Sequence, residues 1–314
     1  MIIIFSKEGD MSTNNVIDWL IKMKQDFIRI NCFDQLALLI EQSPLKIDTN
    51  NLFDNVKSVW YRRRPESKIN YVISKNAKTI KDSFRYYSTE QNALIDSMFY
   101  LLRRKKWLNN WKNSIPNKLY QLQLAKNAGL KIPKSNILSN KIDLFSFYKK
   151  HGPLILKSIQ DVMSIETDNG AYMQYTKKIT QKDISNFPPK FFPTLFQKLI
   201  DKNLEIRSFF IDGEIFSMAI CSSFDNQTKE DFRKYNDHHP NRVIPYCLPT
   251  TIEKKLKQLM ADLDLNCGSI DMILGNDGLY YFLEVNPVGQ FGMVSGPCNY
   301  YLERKIANFL CTTR

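Results

Sequence analysis

Short apolar runs separated by amphipathic stretches set the pattern of the first third of the chain. "MIIIF" is a continuous apolar run, as a strand buried on both faces requires. In "STNNVIDWLIKMK", Val16, Trp19, Leu20 and Met23 recur at helical spacing, which predicts a helix capped by Ser12 or Thr13. "DFIRI" and "SVWY" read as further strands. A longer helix is predicted to open at Ser88, with Gln91 completing a capping box, and to run through Leu94, Ile95, Met98 and Leu102 into "RRKKW". Strands alternating with helices predict a small α/β domain on a parallel sheet over residues 1–113.

The polar stretch "LNNWKNSIPNKL" marks a boundary, with Pro116 suited to a first helical turn. The helix in "PNKLYQLQLAKNAGL" is expected to end at Gly129. "PLILKS", "VMSIET" and "AYMQYT" are strand-like, and from Phe191 onward the texture becomes antiparallel β. "LEIRSFFIDGEIFSMAI" predicts a hairpin around Asp212-Gly213, a dipeptide that type I′ turns favour. Thr250 or Thr251 is expected to cap "TIEKKLKQLMADL", a second hairpin turns through Gly275–Gly278, and a final helix starts near Pro297. The fold class is therefore α/β, passing to α+β toward the C-terminus, with domains at 1–113, 114–196 and 197–314.

The second hairpin carries the chemistry. In "SIDMILGNDGLYYFLEVNP", alternation places Glu284 and Asn286 on one face together with Phe282, and turns Leu283 and Val285 the other way. A loop of two or four residues brings Asp271 onto that face, opposite Glu284 or on its diagonal. Two carboxylates so close repel unless a cation lies between them, and an all-oxygen set suits Mg²⁺ or Mn²⁺, which prefers a few carboxylates plus nucleotide phosphates. Taken singly, each acid reads as a solvated edge-strand carboxylate; the joint pattern reads as a metal site. Lys157 ends the apolar strand "PLILK", where a charge needs an anion or an exit to water. Lys118 lies in a first helical turn, which the helix dipole makes unfavourable for a cation unless an anion binds there; an exposed, tolerated charge is the alternative. Glu205 and Arg207 share a strand face, and on their own read as a surface ion pair.

Composition narrows the partners. The 314 residues are 43% hydrophobic and 24% charged, with a formal charge of +12 that favours anionic ligands. Between Trp60 and Ile115 there are 13 Lys/Arg against 4 Asp/Glu. Six scattered cysteines without a CxxC pair and only three histidines argue against zinc and for reduced thiols in a cytoplasmic protein. "MIIIFSKEGD" is not a signal peptide, and no run approaches a membrane span.

Taken in order, "NKLYQLQLAKNAGLKIP", "PLILK", "FQKLI…LEIR" and "DMIL…FLEVNP" resemble the ATP-grasp ligases, over about Ser114 to Arg314. Within that superfamily "VWYRRRPE", "DFRKYN" and "EVNPVGQFG" are similar to the graspetide, microviridin-type peptide ligases, in particular the grasp-with-spasm maturases. The resemblance implies a pre-ATP-grasp α/β domain, a central β-rich lid domain and a C-terminal antiparallel domain. It assigns Lys118 and Lys157 to ATP phosphates, Gln197, Lys198, Leu199 and Ile200 to the adenine hinge, and Glu205 to the ribose. It assigns Asp271, Glu284 and Asn286 to magnesium, and Arg207 and Arg233 to the γ-phosphate and an acyl phosphate. The loop "SIQDVMSIETDNGAY" departs from the family in having few glycines where a phosphate flap is usual.

The likeness implies activation of Asp or Glu side chains of a ribosomal precursor peptide, which docks through a leader segment, and their joining to Ser, Thr or Lys in macrocycles. The basic surface around Arg62–Arg64 and Arg103–Lys106 suits an acidic peptide, although "RRKK" also reads as a favourable basic helix end. A membrane is not an expected partner, and the reading leaves room for a homodimer. Two rivals stand beside it: a carboxylate–amine ligase for free amino acids or a protein terminus, and a basic RNA-binding module. RNA is disfavoured because no RNP-like or KH-like motif is present.

Overall fold

The computed structural model describes residues 1–42, 53–65, 77–115, 117–160, 164–167, 170–173, 177–221 and 241–312. The chain forms two compact units, Met1–Ser114 with Tyr301–Arg314, and Ile115–Tyr300.

In the first unit, β1 (Ile2–Phe5) is followed by α1 (Met11–Lys22), β2 (Phe27–Ile30), α2 (Phe33–Gln42), β3 (Ser58–Tyr61), α3 (Ala77–Leu102) and β4 (Lys106–Leu108). The strands pair in parallel in the order β2-β1-β3-β4, as the alternation predicts. All four residues of β1 are buried, which accounts for its unbroken apolar run. The cap of α1 is Asp10, whose Oδ1 accepts the Thr13 N–H at 3.3 Å, rather than Ser12 or Thr13. Thr13 is buried and its hydroxyl meets Ser6 Oγ at 2.9 Å, so it is already occupied. Asp10 also pairs with buried Arg62 at 3.3 Å. Burial pushes the Asp10 carboxyl upward, but the Arg62 guanidinium and the Thr13 hydrogen bonds outweigh it and hold the group below the usual carboxylate range.

The long helix does not open at Ser88: α3 starts at Ala77 and passes through that position. The hydroxyls of Thr89 and Ser97 are satisfied inside it, each donating to the carbonyl four residues earlier, Arg85 and Ala93, at 2.8 Å. Polar residues satisfied this way do not mark a helix start.

In the second unit, α4 (Lys118–Asn127) is capped by Asn117 and is followed by β5 (Ser135–Asn140), α5 (Lys141–His151) and β6 (Leu154–Lys157). Next come β7 (Ser164–Thr167) and β8 (Gly170–Met173), which pair with each other, then β9 (Lys177–Ile179), α6 (Gln181–Ser185) and β10 (Lys190–Lys198). One sheet has the order β5-β10-β6-β9, and Leu144, Phe147, Leu154, Ile179, Ile184 and Phe196 form its core with α5 and α6.

The remaining elements are β11 (Lys202–Ile211), β12 (Glu214–Cys221), β13 (Arg242–Tyr246), α7 (Thr250–Asp262), β14 (Cys267–Gly275), β15 (Tyr280–Asn286) and α8 (Gly292–Cys298). Their strands make an antiparallel sheet ordered β13-β12-β11-β14-β15. Asp212 and Gly213 turn the first hairpin with φ of +45° and +87°, the left-handed pair a type I′ turn needs. One face of this sheet carries Ile206, Phe210, Ile270, Met272, Phe282 and Val285 into a core with Leu122 and Ala125 of α4 and Leu256, Leu259 and Met260 of α7. The helix α7 begins after Pro249 without a side-chain cap, so neither Thr250 nor Thr251 plays that part.

The expected final helix is two helices. Pro297 lies inside α8, Asn299 and Tyr301 take left-handed backbone (φ +54° and +52°), and α9 (Leu302–Cys311) follows. Residues 301–314, assigned by sequence to the C-terminal subdomain, belong to the first unit. There α9 packs on α1, and Ser58 donates to the Leu310 carbonyl at 2.7 Å. No helix among the described residues is long and apolar enough to cross a membrane.

Candidate functional site

The face of the five-stranded sheet opposite its core holds a row of charged residues. Arg207 on β11 is in register with Asp271 on β14, and Asp271 is in register with Glu284 on β15. Ser269 pairs with Asn286 one step along, so Asn286 shares the face of Glu284. Glu205 and Arg207 also share that face, as alternation requires.

The Asp271–Glu284 pairing depends on an irregularity that alternation alone does not predict. The hairpin loop has three residues, Asn276–Gly278: Gly275 donates to the Leu279 carbonyl at 2.9 Å and Gly278 to the Gly275 carbonyl at 3.0 Å. Uninterrupted pairing from that loop would set Leu283 opposite Asp271. Instead the register shifts between Asp271 and Met272: Met272 pairs with Phe282, Asp271 with Glu284, and Leu283 is the extra residue of a bulge. Phe282 therefore does not share the face of Glu284. It is fully buried in the core with Val285, and the bulge lets the strand bury Phe282 while turning Glu284 to the open side.

Ion pairs tie the row together. Nη1 of Arg207 lies 3.1 Å from Asp271 Oδ1, and Nη2 donates to the Gln290 carbonyl at 3.4 Å. Arg207 Nε is buried with no hydrogen-bond partner among the described residues. Lys118, 8% exposed, lies 3.3 Å from Glu284 Oε2 and donates to the Gln160 carbonyl at 2.9 Å. The Asp271 and Glu284 side chains keep 22% and 21% of their surface open, so a ligand can reach both.

Other expected positions are placed as follows. Lys157 ends β6 opposite Leu195 of β10 and is half-buried. In the 197–200 segment, Gln197 is buried and its side chain donates to Ser135 Oγ at 2.9 Å. The Lys198 and Leu199 N–H groups already donate to the Lys134 and Pro153 carbonyls, at 2.8 and 2.9 Å. A base edge would have to meet the other backbone groups there. Glu205 accepts a hydrogen bond from Lys202 Nζ, a partner that sequence inspection missed although i,i+3 spacing in "KNLE" hints at it. Arg233 lies outside the described residues.

The donor set fits a hard divalent cation: two carboxylates in register on adjacent strands and a carboxamide one step along, all oxygen. Asn286 is exposed, and its Oδ1 accepts the Val288 N–H at 3.2 Å, which orients the amide. Among the described residues no group of three or more His, Cys, Asp or Glu side chains could hold a metal, so this set is limited to the two carboxylates and the Asn286 amide. Such a site leaves positions for phosphate oxygens and water, as magnesium prefers.

Residues 115–310, more than half of the chain, match the RimK-like ATP-grasp domain family. No curated protein matches the sequence. Among solved structures the chain is similar to the macrocyclase MdnC of Microcystis aeruginosa MRC bound with its precursor peptide MdnA, at 25% identity and TM-score 0.78, covering 98% of each chain. It is similar in fold to a RiPP-associated ATP-grasp ligase of Chryseobacterium gregarium in complex with ADP and a leader and core peptide (22% identity, TM-score 0.79, 98% and 94% covered). The fold also matches the ATP-grasp ligase PsnB complexed with a minimal precursor (17% identity, TM-score 0.74, 98% and 97% covered). With its antiparallel sheet, its paired carboxylates and this match, the chain belongs to the RimK-like ATP-grasp family and is an ATP-dependent ligase of that fold.

Proposed function

We propose that this ligase activates Asp or Glu side chains of a ribosomally made precursor peptide and joins them to Ser or Thr hydroxyls, or to Lys amines, closing macrocycles as graspetide ligases do. The observation that carries the reading is the end-to-end likeness to MdnC, a macrocyclase bound with a precursor peptide, which includes the first unit as well as the ATP-grasp portion. Of the expected basic surface, Arg62 is buried against Asp10 and Arg64 pairs with Asp96 at 2.8 Å, while Arg103 and Arg104 stand exposed, where they suit docking of an acidic peptide. The six cysteines, all free, suit a cytoplasmic enzyme.

We assign ATP to Lys118, Lys157, the 197–200 backbone and Glu205, and Mg²⁺ or Mn²⁺ to Asp271, Glu284 and Asn286. ATP supplies the phosphoryl group, and a bound divalent ion would neutralise charge on its phosphates. A carboxylate oxygen of the peptide attacks the γ-phosphorus, ADP departs, and an acyl phosphate forms. The hydroxyl or amine then attacks the acyl carbon, loses its proton, and inorganic phosphate leaves. Lys118 and Arg207 hold positive charge beside the row of carboxylates, where phosphoryl oxygens gain charge in transfer. Arg233 is assigned to the acyl phosphate by family likeness.

Mass spectrometry of the precursor after incubation with ATP, Mg²⁺ and enzyme tests the reading. Each link removes one water, so losses in multiples of about 18 Da, with fragments that stay joined, are expected. Dipeptides formed from free amino acids, with an unaltered precursor, would replace macrocyclisation by amino-acid ligation.

A further inference from the structure

We infer that Gln121 is a positioning residue for the β15 side of the site. Its side-chain amide closes the open edge of that strand at Val285 and thereby sets where Glu284 and Asn286 point. The inference rests on the proposed role of those two residues as metal ligands.

The strand β15 is the last in its sheet, so residues whose N–H and C=O turn away from β14 meet no further strand of that sheet among the described residues. Val285 is one of these. Its N–H donates to Gln121 Oε1 at 2.9 Å, and its C=O accepts from Gln121 Nε2 at 2.7 Å. One carboxamide thus makes both contacts of a β-ladder step. Gln121 is 2% exposed, so neither bond competes freely with water. The Val285 side chain is buried in the core, which fixes the same residue from its third direction.

Glu284 and Asn286 flank this anchored residue, and their side chains leave on the opposite face. Two residues before Glu284, Phe282 donates its N–H to the Lys131 carbonyl at 2.8 Å. Between these supports lies the Leu283 bulge, where the ladder is interrupted and a strand bends most easily. Lys118, three residues before Gln121 on the same side of α4, lies 3.3 Å from Glu284. The helix therefore holds β15 twice, by charge at Glu284 and by the amide at Val285. Groups that orient metal ligands from behind commonly change metal affinity about 10–100-fold when removed.

Mn²⁺ binding in the presence of ADP, read by electron paramagnetic resonance, tests this without turnover. Gln121→Met keeps the shape of the side chain and loses both hydrogen bonds; it is expected to weaken Mn²⁺ about 10–100-fold while metal-free ADP binding stays close to wild type. Gln121→Glu keeps an acceptor for the Val285 N–H and is expected to recover part of the loss. Wild-type Mn²⁺ affinity in folded Gln121→Met overturns the inference alone, provided that Glu284→Gln abolishes binding. If Glu284→Gln binds Mn²⁺ as wild type does, the site assignment falls and this inference with it. Should Gln121→Met fail to fold, amide exchange in the wild type decides: Val285 protected like Phe282 supports the clamp, and free-peptide exchange at Val285 overturns it.

Discussion

Arg207 and Asp271 are joined twice: they occupy matched register positions on β11 and β14, and Nη1 meets Oδ1 at 3.1 Å. The same guanidinium leaves Nε buried without a hydrogen-bond partner among the described residues, which costs about 1–3 kcal/mol unless a ligand oxygen accepts it. Arg207→Lys keeps the charge and loses the planar fork. ADP release in the presence of peptide should then slow about 10²–10³-fold, with a nearly unchanged melting temperature. Wild-type turnover in this variant would exclude Arg207 from the reaction.

Lys118 stands 3.3 Å from Glu284 and is held by the Gln160 carbonyl. In Lys118→Met, Glu284 loses this cation, and the phosphates we assign to Lys118 would lose a donor. The KM for ATP should rise and kcat/KM fall by about 10²–10³-fold. Steady-state kinetics at saturating peptide check both, and a pure kcat effect with unchanged KM would contradict phosphate binding by this residue.

Gly289, in "EVNPVGQFG", approaches β14 closely. A Cβ there would fall 2.5 Å from Ser269 Oγ and 2.6 Å from Ser269 Cβ. The Gly289 N–H also donates to the Asn286 carbonyl at 3.1 Å, so crowding reaches the last proposed metal ligand. Gly289→Ala should destabilise by about 1–3 kcal/mol in urea unfolding. Adding Ser269→Gly removes the clashing atoms and should restore part of that loss; no rescue would place the strain elsewhere.

Tyr246 and Tyr280 share a hydroxyl hydrogen bond at 2.6 Å. Burial first, and then the Tyr246 hydroxyl, push the Tyr280 phenol up to about 12. The folded value lies above the ordinary 10.0, so the protonated pair stabilises the fold fully below about pH 10, and the contribution is lost as pH rises toward 12. Spectrophotometric titration should find one tyrosine ionising near that upper limit. Tyr246→Phe should lower it and flatten the loss of stability in this window.

The apolar runs and their periods made several elements legible. "MIIIF" and "SVWY" form parallel strands, and "IDGE" turns a hairpin. These follow from side-chain alternation and turn chemistry, which the local backbone sets. The same local rules failed where a distant group competed. Ser12 and Thr13 are sound caps by type, yet Asp10 takes the position because Arg62, arriving from the end of β3, pairs with it. Ser88 and Gln91 spell a capping box inside a helix that had already begun.

By itself, then, the chain determined the periods, the turn residues and the oxygen-rich end of its last strand. The fold decided which face Phe282 takes, because a three-residue loop and a bulge at Leu283 together set the count between β14 and β15. It also decided that a glutamine in the middle of a polar helix meets an open strand edge at Val285. Periodicity is a property of neighbouring residues, whereas an unpaired backbone edge and the side chain that closes it come from segments more than a hundred residues apart.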